Sequence, residues 1–229
     1  MSQYQPQQQP PQHPAAAYYA APGQTPDPPK DLSVMAWFAF ASAALATVVD
    51  LANASIVGRA VRELDTDPDS VEWSVVAYGL GSILEGVLLI AGFVTAGLWL
   101  YRARTNAAKL APTAQYTRSA GWAWGGWVCP VVSLWFPFQV VRDTRRAVTP
   151  LLASSLVGWW WAAYLVMQLG GRIAAQSQRD ATAADAGTVQ GIEVFFALVM
   201  VVALVLWGLV LRGLTREQHD RIYGRVAVR

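Results

Sequence analysis

Residues 121–140 read GWAWGGWVCPVVSLWFPFQV, and the placing of this stretch decides the architecture. It is long and apolar enough to cross a bilayer, since a helix of about 20 residues spans roughly 30 Å of hydrocarbon. Pro130 stands at its centre and Pro137 near its end, with Gly121, Gly125 and Gly126 ahead of them. Proline inside a helix removes a hydrogen bond and costs about 3 kcal/mol. Broken backbone at membrane depth persists only when buried in protein or lining a wet cavity.

Working outward, four further apolar stretches cover residues 34–57, 75–99, 151–169 and 192–211, and each reads as an ordinary spanning helix. Basic residues in short loops mark the cytoplasmic side. If 121–140 is a re-entrant or interfacial hairpin that returns to its own side, 13 basic residues face the cytoplasm and 4 the exterior. If it spans, the better orientation gives only 10 inside against 7 outside. The expected fold is therefore an all-α membrane protein with four transmembrane helices plus a Pro-broken hairpin. Both termini are then cytoplasmic, the protein lies in the cell membrane, and the acidic loop holding Glu63, Asp65, Asp67, Asp69 and Glu72 faces outward.

Composition agrees. Apolar residues make up 54% and charged residues 14%, against roughly 25% charged in soluble domains. A net charge of +2 gives no reason to expect nucleic acid as a partner. Lys30 and Lys109 are the only lysines among 17 basic residues, an arginine bias that, with abundant Ala and Val, points to a GC-rich bacterial genome. Residues 1–33 are rich in Pro and Gln and poor in aliphatics, so they are expected to form a disordered cytoplasmic tail, solvated or partner-binding. Residues 34–215 form the membrane domain and 216–229 a basic tail, able to lie on anionic lipid. One cysteine, Cys129, excludes an intrachain disulfide, and His13 and His219 lie in the polar tails. No Walker loop, HExxH, GxSxG or His/Cys ligand spacing occurs, so neither enzymatic activity nor a cofactor is expected.

The stretch from Leu98 to Trp161 carries a recognisable set of motifs: Trp99 through Asn106, Gly121-Trp122, Gly126-Trp127, Pro130 through Pro137, Asp143 through Arg146, and the Trp159–Trp161 run. In these it resembles a bacterial membrane family, common in actinobacteria, catalogued as domain of unknown function 4328. The family's middle motif usually reads Pro-x-x-Asn-Leu-x-x-Pro; here Ser133 holds the asparagine position, followed by Leu134. The resemblance implies a polytopic membrane domain behind a Pro-rich tail, and no activity.

Two groups of residues stand out. Glu85 lies ten residues into the second stretch, near the bilayer centre, where an ionisable side chain costs on the order of 3 kcal/mol and is a functional hypothesis by default. Tyr78 and Ser82 share its helix face, and Asp50 and Asn53 share a face of the first helix. With the first two helices antiparallel these form a small polar pocket; the plainer reading is a set of packing and helix-end groups. Gly81, Gly92 and Gly97 would let a neighbouring helix approach. The second group, Arg104, Asn106, Trp127, Pro130, Pro137, Asp143 and Arg146, surrounds the expected hairpin. It reads as an anion or lipid-headgroup site, as a clamp in which Asp143 pairs Arg104, or as topology-setting charge. The Trp159–Trp161 run could pack on the hairpin or line an aromatic pocket.

Function follows as two alternatives. One is a non-enzymatic scaffold or interaction protein whose partners are membrane lipids and other membrane or envelope proteins. The other is a small transporter or channel subunit in which the hairpin and Glu85 line a pathway.

Overall fold

Alanine, valine and leucine runs without proline propagate as helix, and proline punctuates them. The computed structural model describes residues 27–69, 71–129, 131–149, 155–179 and 181–224. The elements are α1 (Ser33–Thr66), α2 (Trp73–Leu110), α3 (Trp122–Val128), a 3-10 turn at Val132–Leu134, α4 (Phe136–Val148), α5 (Ser155–Arg179) and α6 (Ala186–Ile222). Three helices stop two residues before a proline: α1 before Pro68, α2 before Pro112 and α4 before Pro150. The residue between leaves the α region each time, with ψ of 98° at Asp67, 72° at Ala111 and 77° at Thr149. A following proline ring clashes with the α conformation of the residue before it, so the stop is written locally.

The four long helices run up and down beside one another. Ser42 meets Thr95, Asn53 meets Glu85 and Ser74 donates to Glu63, which fixes α1 and α2 antiparallel along their whole length. Phe40 sits against Gly208 and Gln190 against Gly58, so α6 is antiparallel to α1. Trp160 stacks on Trp207 and Gly170 abuts Phe196, so α5 is antiparallel to α6. The start of α1 and the end of α6 therefore share one end of the bundle, where Asp31 contacts His219. The densest core lies at that end, built from Trp99, Leu100 and Ala103 of α2, Val140 and Val141 of α4, and Val210 and Leu214 of α6. Elsewhere large apolar side chains face outward, among them Ile83, Val87 and Ile90 on α2 and Leu198, Val202 and Val205 on α6. Such a continuous apolar exterior belongs against lipid, and the protein is a multi-pass helical membrane protein.

Two expectations are corrected. Among the described residues three helices, not four, are long and apolar enough to cross a membrane: α1, α2 and α6. α5 is described over 25 residues, against 34, 38 and 37 for α1, α2 and α6, and Trp159–Trp161, Tyr164, Gln168 and Arg172 make it too polar to count as a fourth. Its expected first residues, 151–154, lie outside the described residues, as does most of the expected disordered tail (1–26) and residues 225–229 of the basic tail.

Among the described residues no re-entrant hairpin is found either. The stretch 121–140 divides into the seven-residue α3, the 3-10 turn and the first turn of α4. Pro137 falls in that first turn, where the missing N–H has no helical partner to lose, so it starts a helix instead of breaking one. Pro130 lies outside the described residues. α4 then continues through Arg142, Asp143, Arg145 and Arg146 as an amphipathic helix packed on the polar end of α2. Gly97 is the seat for this layer: a Cβ there would stand 2.6 Å from the Trp124 ring of α3.

Candidate functional site: a polar junction and a chamber inside the bundle

The antiparallel register of α1 and α2 brings Asn53 against Glu85. Asn53 is 7% exposed and its Nδ2 donates to Glu85 Oε2 at 3.4 Å. The backbone of α2 makes room at Gly81, where a Cβ would fall 2.1 Å from Asn53 Oδ1. Two further helices reach the same level. Tyr78 on α2 donates its hydroxyl to Gln178 Oε1 of α5 at 2.9 Å, and Gln178 Nε2 donates to Glu193 Oε1 of α6. Asp50, one turn before Asn53, is within electrostatic reach of both Glu85 and Glu193. Each of the four long helices thus contributes a polar side chain. Among the described residues no Lys, Arg or His lies within ion-pair distance of Asp50, Glu85 or Glu193, and no group of His, Cys, Asp and Glu is disposed to hold a metal ion.

Of the residues singled out from sequence, Asp50, Asn53, Tyr78 and Glu85 come together. Ser82 does not: it is exposed, and its hydroxyl returns to the Tyr78 carbonyl at 2.8 Å. Gln178 and Glu193 were missed. Glu193 carried a weaker signal than Glu85, because it stands at the second residue of the run 192–211 and reads as a helix-end group. Gln178 carried none, because it lies beyond the stretch ending at Leu169 and only the extension of α5 to Arg179 delivers it.

Next to this junction, toward the termini, the bundle holds a half-open cavity of about 350 Å³. Its aromatic wall is Phe93, Trp127, Trp160, Tyr164 and Trp207, and small residues of α1 and α2, including Ala43, Ala46 and Gly92, leave the space open opposite. Trp160 and Trp207 stack with centroids 5.0 Å apart, and Trp127 sits edge-on to Tyr164 at 5.5 Å. Of the Trp159–Trp161 run, Trp159 is exposed and Trp161 is pinned by its Nε1 to the Leu134 carbonyl at 2.9 Å.

The profile of the family described as domain of unknown function (DUF4328) matches residues 62–216. The chain belongs to this family. No curated protein and no solved structure matches it. The DUF4328 match takes in Glu85, Gln178, Glu193 and the whole aromatic wall, while Asp50 and Asn53 precede it.

At the termini end of this DUF4328 protein the second group of residues is dispersed over separate contacts. Arg104, 8% exposed, lies with its guanidinium carbon 3.4 Å from the Tyr116 ring centroid and donates to the Arg118 carbonyl at 3.2 Å. Burial pushes the Tyr116 phenol above its ordinary pKa although the Arg104 charge pulls the other way. Asp143 makes no ion pair with Arg104. It accepts from Thr117 N at 3.0 Å, from Thr117 Oγ1, and from Arg142 Nε and Nη2 at 3.0 and 2.9 Å. Burial raises the Asp143 carboxyl, but these donors outweigh it and hold the pKa below the usual carboxylate range. Asn106 brackets the backbone of Lys30, accepting from its N at 3.0 Å and donating to its O at 2.6 Å. Pro137 packs against Gly126 and Trp127 against Trp161, whereas Arg146 is exposed. These contacts tie α2, the loop after it, α4 and the entry of the chain together; the clamp runs through Thr117 and Lys30.

Proposed function

We propose that this protein is a non-enzymatic membrane transporter subunit whose cation-responsive centre is the junction of Asp50, Glu85 and Glu193. The observation that carries this is the convergence of polar groups from all four long helices on carboxylates that no basic residue among the described residues neutralises. A carboxylate in that setting takes its counter-charge from a mobile cation, the proton first among them. Both termini are assigned to the cytoplasm of a bacterial cell membrane. The support is the end of the bundle that carries Arg102, Arg104, Lys109, Arg142, Arg145, Arg146, Arg212 and Arg216, opposite the end with Arg59, Arg62, Arg172 and Arg179.

The second reading, a scaffold with lipid and envelope-protein partners, draws on the docking of the chain entry. Asn106 grips Lys30, Lys109 Nζ donates to the Asp27 carbonyl at 2.7 Å, and His219 contacts Asp31. Glu85→Gln separates the two. Proteoliposomes on a solid-supported membrane are expected to give a transient current on a pH jump, lost in Glu85→Gln at equal incorporation. A wild-type trace identical to empty liposomes would remove the transport reading and leave the scaffold.

A further inference from the structure

The chamber and the acidic junction lie on the same helix faces. Leu88 and Leu89, which line the chamber, stand three and four residues after Glu85; Thr47, on the facing wall, stands three before Asp50. One turn of helix therefore separates the near edge of the cavity, at Leu88, Leu89 and Thr47, from two carboxylates that are without a basic partner among the described residues, and the aromatic wall begins at Phe93, about 12 Å along α2 from Glu85. The cavity's volume, about 350 Å³, falls within the range of small-molecule sites. Its polar atoms are few: Thr47, Gln168 and the Tyr164 hydroxyl, which already accepts from Gln168 Nε2 at 2.6 Å. Aromatic faces attract cations as well as apolar rings, and this attraction grows as water is excluded. A neutral apolar guest would gain nothing from the acids, and a small hydrated inorganic cation nothing from the indoles. Both features are used by one ligand class.

We propose that the chamber binds a lipophilic organic cation, its apolar groups against Trp160, Trp207 and Tyr164 and its positive charge directed toward Glu85 and Asp50. The proposal deepens the transport reading by naming the class of solute, and it uses the same acidic junction as counter-charge.

The test uses the full chain in nanodiscs with tetraphenylphosphonium as the probe, followed by tryptophan fluorescence and calorimetry against empty nanodiscs. Saturable binding is expected, weakened by at least about tenfold in Glu85→Gln, in Asp50→Asn and for the neutral probe triphenylphosphine oxide. Ala43→Phe, which fills the space from the α1 side, is expected to abolish binding; Gly92→Leu does the same from α2 should the first variant fail to fold. No saturable binding, equal affinity for the neutral probe, or unchanged affinity in a folded chamber-filling variant would overturn the proposal. Binding of the cation without any pH-jump current upholds this site and removes only the transport reading. Current without binding does the reverse.

Discussion

Asp143 is held by a charged neighbour and by neutral donors together. Its sequence setting, between Arg142 and Arg145, suggests an ion pair, and it makes one with Arg142 at 2.9 Å, while the N–H and hydroxyl of Thr117, from a different segment, bind its other carboxylate oxygen. Hydrogen bonds to a nearly buried carboxylate are worth about 1.5–3 kcal/mol. Asp143→Asn is therefore expected to lower the thermal midpoint in detergent, read by tryptophan fluorescence, by a margin of that order at pH 7. The sign with pH follows from the lowered pKa. The contribution is complete above the unfolded carboxyl value of about 3.9 and fades as pH falls below it through the folded value. Wild type and Asp143→Asn should thus converge as pH falls below the ordinary carboxyl range. A constant gap through that fall in pH would mean that the aspartate acts through shape alone. Arg104, a residue of similar prominence in the sequence, turns out to stack on Tyr116, a contact that no spacing rule announces because the two lie on different elements.

At the scale of elements, glycines sort into those that seat a neighbour and those that face outward. Gly97 receives Trp124 of α3, and Gly170 receives Phe196 of α6. Gly86, on the same helix as Gly97, has nothing within 4 Å of a built Cβ. Gly97→Leu is expected to lift α3 from α2 at a cost of about 1–3 kcal/mol, the usual penalty of overpacking. Gly86→Leu should leave the melting midpoint where it is or raise it slightly, leucine being the better helix former. Equal effects from the two variants would show that α3 is not seated through Gly97. Helix ends at Thr66 and Leu110 are set locally by the prolines that follow, whereas the apolar stretches read from the sequence stop at 57 and 99. α1, α2 and α6 run past their apolar stretches by a turn or more, since polar ends outside the hydrocarbon remain good helix formers.

Over the whole molecule, the arrangement of ends makes a prediction about sidedness. Thr149 follows α4 at the end shared by the start of α1 and the end of α6, and Thr182 lies between α5 and α6 at the opposite end. With Cys129→Ala as background, Thr149→Cys is expected to resist a membrane-impermeant thiol reagent until cells are opened, while Thr182→Cys labels at once. Labelling of Thr149→Cys from outside would reverse the assignment of the termini. Labelling of both from one side would show that the two ends of the bundle are not separated by a membrane.

The sequence by itself determined that this is a helical membrane protein, where three of its long apolar helices run, that Glu85 is out of place in lipid, and which family the chain resembles. Those follow from composition, local stops and short spacings, all carried within one segment. Tertiary structure alone decided that 121–140 is a surface layer instead of a hairpin, and that Gln178 and Glu193 complete the acidic junction. The chamber beside that junction likewise exists only once Trp127, Trp160 and Trp207 meet from three helices. Contacts between distant segments depend on helix register and approach distance, set by Gly81, Gly97 and Gly170 acting across elements, and a one-dimensional pattern does not contain them.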